Sequence, residues 1–201
     1  MHNSSGKSDI SRNIPAEAGA DILLAQLGPT HRALIERHLR SLPATDRRLR
    51  FGYAIRDESI AHYVRHMRFY RDAAFGAFDS AGALIGFGHL SNHEHGAEFA
   101  LSVDPATRGR GIGRALLKRA AAHARNQGHR VLVMQYLPEN HALAALARRS
   151  GMQAVCDSSE CRAYIGLKPP TPHSLLREAW REAVAAIDLG FRRSAAGATS
   201  A

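Results

Sequence analysis

Just after Asp104-Pro105 the chain reads Arg108-Gly109-Arg110-Gly111-Ile112-Gly113-Arg114, three glycines interleaved with three arginines. A helix starting here would present free backbone N–H groups and the positive end of its dipole, which together make an anion site. Glycines let a large anion approach the main chain with no Cβ in the way. Guanidinium groups add charge-assisted hydrogen bonds. Phosphate or pyrophosphate is the ligand this pattern calls for. A tight strand-to-helix turn alone would also call for glycine, but the arginines and the flanking pattern favour an anion.

The flanks supply the strand and the helix. Ala97, Phe99, Leu101 and Val103 alternate with Glu98, Ala100 and Ser102, the period of a half-buried strand. Asp104-Pro105 ends it, because proline cannot donate to a ladder. From Ile112 the apolar residues fall three or four apart (Leu116, Leu117, Ala120, Ala124), predicting a helix to about Gln127, stopped by Gly128. A Walker loop is excluded, since Arg114-Ala115 follows Gly113 where Lys-Ser/Thr would stand, and Gly6-Lys7-Ser8 has Met1 in place of the leading glycine. A dinucleotide fingerprint counted from Gly109 would need Gly or Ala where Arg114 stands, and it lacks the acidic residue about twenty positions on.

Arg108-x-x-Gly111-x-Gly113 closely resembles the acetyl-CoA pyrophosphate loop of the GNAT superfamily of N-acetyltransferases. The resemblance covers about Asp21 to Leu167. It implies acetyl-CoA as acyl donor, its pyrophosphate held by backbone N–H groups from Arg108 through Gly109, Arg110, Gly111, Ile112 and Gly113 to Arg114. It also implies that the strand edge at Leu101, Ser102 and Val103 pairs with the pantetheine arm.

Acetyl transfer to an amine needs a base, because a free amine is protonated near neutral pH. Glu98 points away from the Phe99–Leu101–Val103 face and is the candidate; the plain alternative is a solvated glutamate on a half-exposed strand. The stretch from Ala97 to Val103 also resembles the Ala-Glu-Phe-x-x-x-Val strand of Pat-type protein lysine acetyltransferases, whose glutamate is the proposed base. The segment Leu42–Phe51 and the helix ending in Leu146-Ala-Arg-Arg149 are similar to those enzymes too. Asn140 stands where many GNAT enzymes carry an asparagine, and either contacts pantetheine or caps its helix. Seven residues on, the usual tyrosine is replaced by Ala147. Two functions follow: an N-acetyltransferase that releases the thiolate to water, with a protein lysine or a small amine as acceptor, or a non-catalytic acyl-CoA-binding sensor or interaction module.

The elements that must position these residues form an α/β chain with a mixed, mostly antiparallel central sheet flanked by helices. A first strand spans 21–27, a helix follows Pro29-Thr30 to about Leu42, a charged loop covers 43–56, and a second helix runs over 59–70. A hairpin at 74–90 and the Glu98 strand give three consecutive antiparallel strands. After the glycine loop come the 112–127 helix, a strand at 130–137 expected to be buried on both faces, a helix at 139–150, and closing strands at 152–156 and 162–167. Residues 1–20 read as a disordered lead-in and 191–201 as a disordered tail. Lys168–Pro172 reads as a stiff linker within 168–173. Beyond it Ser174 is expected to cap an amphipathic helix over 174–190, docking through Leu176, Trp180, Val184 and Ile187 on the domain or on a second subunit of a homodimer.

Composition narrows the class. With 27 Lys and Arg against 18 Asp and Glu the formal charge is +9, but the arginines are spread over many elements, which disfavours nucleic acid as partner. Cys156 and Cys161 have no metal-type spacing, and are read as separate thiols in a reducing compartment. No apolar run approaches ~20 residues and the first twenty lack a secretory apolar core, which points to a cytoplasmic protein. His89, His93 and His95 with Glu94 lie at a hairpin turn among twelve scattered histidines, so no metal site is assigned.

Overall fold

The computed structural model describes residues 22–93 and 96–198, with side chains up to residue 190. The expected α/β architecture is present. Seven strands lie in the order β1-β2-β3-β4-β5-β7-β6, and every pair is antiparallel except β4 with β5. Three strands, β2 (Ala73–Phe78), β3 (Leu84–His93) and β4 (Gly96–Val103), form the predicted antiparallel middle; β1 is Leu23–Leu27. On one sheet face α4 (Ile112–Asn126) covers a core that includes Phe75, Leu90, Phe99 and Leu132. On the other, α1 (Arg32–Ser41) and α3 (Asp57–Arg65) bury Ile35, Leu39, Ile60 and Val64 against Phe78 and Phe87.

The charged 43–56 segment is not a loop. Residues Ala44–Phe51 form α2, which starts after Pro43 and closes at Gly52, whose φ of 83° lets its N–H reach the Arg48 carbonyl at 2.8 Å. Its periodicity is hidden because only Leu49 and Phe51 are large apolar residues. Two of its charged residues find partners far along the chain, Asp46 with Arg108 at 2.8 Å and Arg48 with Glu139 at 2.5 Å, while Arg47 pairs with Asp57 at 2.5 Å. Conversely α3 ends at Arg65, short of the expected Tyr70. The Arg32 guanidinium donates to the carbonyls of Val64 and Met67, satisfying the helix end from outside.

Strand β5 (Val131–Tyr136) buries Leu132, Met134 and Tyr136, while the residues between them are partly or fully exposed. It is therefore half-buried and not covered on both faces: its buried residues join the α4-side core, to which Ala147 of α5 (His141–Arg149) also belongs. The last hairpin, β6 (Gln153–Cys156) and β7 (Cys161–Gly166), places Cys156 directly opposite Cys161, and the two form a disulfide. The reading as separate thiols is corrected: residues paired across a ladder point to the same face, whatever their spacing in sequence. The ground for expecting a reducing compartment goes with it. Titration of the unfolded chain with a thiol reagent is expected to find no free thiol before reduction and two after.

The C-terminal helix α6 runs over Pro172–Ala198, longer than expected at both ends. Thr171, not Ser174, is its N-cap: the Ser174 N–H donates to Thr171 Oγ1 (3.2 Å) and the Thr171 N–H to Ser174 Oγ (3.0 Å), a reciprocal box with Pro172 at the first helical position. The face that meets the domain is not the predicted stripe. Leu176 and Trp180 are 72% exposed and Ile187 62%. Ala185 and Leu189 pack inward instead, and Glu178 and Glu182 pair with Arg119 of α4. Among the described residues no helix is long and apolar enough to cross a membrane.

Candidate acyl-CoA and acceptor site

The parallel pair is where the sheet opens. Strand β3 meets β4 at eight positions, but among the described residues β5 meets β4 only at Ala97↔Leu132 and Glu98↔Val133. From Phe99 to Val103 the β5-facing edge of β4 thus has no ladder partner. The strand then runs through Asp104, whose carboxylate accepts from the Ala106 N–H (2.9 Å), into the glycine loop.

Gly109 and Gly111 both adopt left-handed backbone (φ 79° and 80°), with open space where a side chain would stand. Gly111 is the N-cap of α4, and the first helical bond is Ala115 N–H to the Gly111 carbonyl at 3.0 Å. The N–H groups of Ile112, Gly113 and Arg114 therefore precede the helical ladder. A Cβ at Gly113 would lie 3.4 Å from Leu101 Cδ1 and 3.6 Å from Leu146 Cδ2, ordinary contact distances that place this first turn against both β4 and α5. Arg110 and Arg114 are exposed at the loop, and Arg108 is held across it by Asp46 of α2. Unengaged N–H groups, an open approach and three guanidinium groups fit a pyrophosphate.

Two predicted residues have side-chain duties of their own. Asn140 is buried and its Oδ1 accepts from the Leu143 N–H (3.1 Å), capping α5. Ser102 turns its hydroxyl to His38 Nε2 at 2.9 Å. His38 Nδ1 faces the Leu84 carbonyl at 3.1 Å, and a carbonyl only accepts, so Nδ1 carries the proton and Nε2 accepts from Ser102. Burial lowers the His38 pKa to about 4, keeping it neutral. Ser102 thus leaves only its main chain for a ligand.

Glu98 lies on the face shared with Ser91, its direct partner across β3–β4, and its side chain is 37% exposed. His93 Nε2 is 3.9 Å from its Oε2. Beside it opens a cleft of about 530 Å³ between α3 and β3, lined by Tyr63, Asp72, His89 and Ser91 among others. Sequence reasoning missed Tyr63, His89, Asp72 and Arg50 as a group. Arg50 Nη2 donates to the Tyr63 hydroxyl oxygen (3.1 Å), which stands 2.7 Å from His89 Nδ1. Burial pushes the Tyr63 phenol above its ordinary pKa despite Arg50. Burial, reinforced by Arg50, lowers the His89 pKa to about 4. The missing tyrosine is not replaced from β5, since Tyr136 is buried in the α4-side core.

His95 and Glu94 of the histidine turn lie outside the described residues. Elsewhere, ligand-type atoms of His123, Glu178 and Glu182 fall within 4.8 Å of one another. Arg119 already occupies that place, 3.2 Å from Glu178 and 2.9 Å from Glu182, while His123 Nδ1 is 2.7 Å from Glu178. These residues clamp α6 to α4.

A model of the Acetyltransferase (GNAT) family matches residues 35–152. The mycothiol acetyltransferase of Salinispora tropica is 39% identical over 82 residues, 37% of this chain and 27% of that protein's length. The GNAT domain of S. lividans PAT superposes with a TM-score of 0.63 at 19% identity, covering 77% of this chain and all of that one. The spermidine N-acetyltransferase of Vibrio cholerae, solved with CoA and spermine, gives a TM-score of 0.59 at 20% identity over 74% of this chain and 96% of its own.

Proposed function

Because the chain belongs to the acetyltransferase (GNAT) family, we propose that it moves the acetyl group of acetyl-CoA directly to an amine, a protein lysine or a small amine. The observation that carries the reading is the opening of β4 from β5 immediately above the Gly111 helix start. The N–H groups of residues 108–114 hold the pyrophosphate, and the free edge at Leu101–Val103 takes the pantetheine arm and polarises the thioester carbonyl. Glu98 removes a proton from the acceptor nitrogen, whose lone pair attacks the carbonyl carbon as the carbon–sulfur bond breaks. The thiolate takes its proton from water: Ala147 offers none, and the Tyr63 hydroxyl is engaged with His89. Asn140 serves as the α5 cap that holds this side of the cleft.

The Pat-like strand supports a lysine acceptor, and the likeness to a spermidine enzyme is one of fold alone. Ala147, 1% exposed where a proton donor would stand, favours the non-catalytic module as the second reading. A free-thiol assay over amine and lysine-peptide acceptors separates the two. Release of CoA thiol that depends on the acceptor supports transfer, whereas binding of acetyl-CoA without release supports the module.

A further inference from the structure

Among the described residues that line the acceptor cleft, His89 is the one with a buried polar atom left unpaired. It is 8% exposed, and its Nε2 has no hydrogen-bond partner. Its tautomer follows from its neighbours. Arg50 only donates, so the Tyr63 oxygen accepts from it, and among the described residues the phenol proton has His89 Nδ1 as its acceptor. Nδ1 therefore carries no proton and Nε2 carries one. That N–H is buried at the cleft wall, 3.8 Å from Asp72 Oδ2, too far for a hydrogen bond. Asp72 is itself buried, with Oδ1 accepting from the Asn92 N–H (3.1 Å) and Oδ2 3.7 Å from Arg68 Nε. One donor and one acceptor thus face the same point without meeting. A single oxygen about 2.8 Å from each would bridge the pair.

The register places this point relative to the proposed base. Ser91 stands opposite Glu98 and His89 opposite Ala100, so His89 and Glu98 are diagonal neighbours on one face, roughly 7–8 Å apart. On the transferase reading given above, we propose that the cleft selects an acceptor amine carrying, about six bonds from its nitrogen, a neutral hydroxyl or amide. That group accepts from His89 Nε2–H and donates to the Asp72 carboxylate. A second ammonium is rejected: it has no lone pair to offer the His89 N–H, and Arg68 at the rim already offsets the Asp72 charge. An alkyl chain in that place makes neither bond.

The test uses four acceptors of matched length at saturating acetyl-CoA: 5-aminopentan-1-ol, 5-aminopentanamide, n-pentylamine and 1,5-diaminopentane. The first two are expected to show kcat/KM at least about tenfold above the last two, mainly through KM. The alcohol and amide arms show which source of the shared chemistry fits better. His89→Leu, and the near-isosteric Asp72→Asn should the former fail to fold, are expected to bring the four within about threefold while calorimetric acetyl-CoA affinity stays at the wild-type value. Equal use of all four by the wild-type enzyme, preference for the diamine, or a preference that survives both substitutions would overturn the selectivity. Acetylation of none of them, or of any lysine peptide, by a protein that binds acetyl-CoA would instead overturn the transferase reading and this proposal with it.

Discussion

Glu98→Gln is expected to lower kcat about 10²–10³-fold while acetyl-CoA affinity stays within about twofold of wild type. The amide keeps the size and half-exposed position of Glu98 but cannot take a proton. The side chain lies on the α3-facing side of β4, beside Ser91, whereas the proposed pantetheine contacts are main-chain groups further along the strand. Loss of turnover with retained affinity is the signature of an interaction made only in the reacting complex. Turnover by Glu98→Gln equal to wild type across the pH range would remove the residue from the chemistry and leave it a solvated strand glutamate.

The second large effect is on stability. Arg119→Met should lower Tm by roughly 6–15 °C at neutral pH, corresponding to about 3–4 kcal/mol. The Arg119 side chain is 8% exposed, packs 5.5 Å from the Phe75 ring centroid, and serves both Glu178 and Glu182. Methionine replaces its apolar stem but leaves the Glu178 carboxylate, 11% exposed, without its guanidinium. Glu182 is 41% exposed and water partly compensates it, which places the loss near the low end of the range for broken buried pairs. The pH dependence has a definite sign. Burial alone would raise the Glu178 pKa, but hydrogen bonds from His123 and Asn126 and the charges of His123 and Arg119 outweigh it and hold it below the usual carboxylate value. A carboxyl with a depressed folded pKa contributes stability above its unfolded pKa and loses it as pH falls through the folded one. The Tm gap between wild type and Arg119→Met should therefore be full at pH 7 and narrow on acidification through the carboxylate range. Differential scanning calorimetry over pH 3–8 measures it; a constant gap would assign the effect to packing.

These particulars show what a single sequence makes legible. The glycine loop and the Glu98 strand were readable because their logic is local: a period of two, a proline stop, glycines at a helix start. Helix α2 was hidden because its charged residues find their partners in Arg108 and Glu139, far along the chain. Periodicity found α6 and its apolar stripe, but the face that meets the domain is another, built from Ala185 and Leu189 and from the Glu178 and Glu182 pairs with Arg119, which no apolar period announces. The Tyr63–His89–Asp72 group had no sequence signature, because three unremarkable residues meet only when α3 packs on the hairpin. The disulfide needed the register of β6 and β7.

Every role proposed above depends on acetyl-CoA binding at the opening above Gly111. Calorimetric titration of the folded protein with acetyl-CoA, beside NAD and ATP, tests it most directly, with Gly111→Val as the paired variant. A β-branched residue is strained at a φ of 80° and would turn the loop N–H groups from their common focus. Binding of acetyl-CoA and not of NAD or ATP is expected, weakened at least about tenfold in the variant. A folded wild-type protein that takes up no acetyl-CoA would contradict it, and the glycine loop would be a structural turn or the seat of another phosphate.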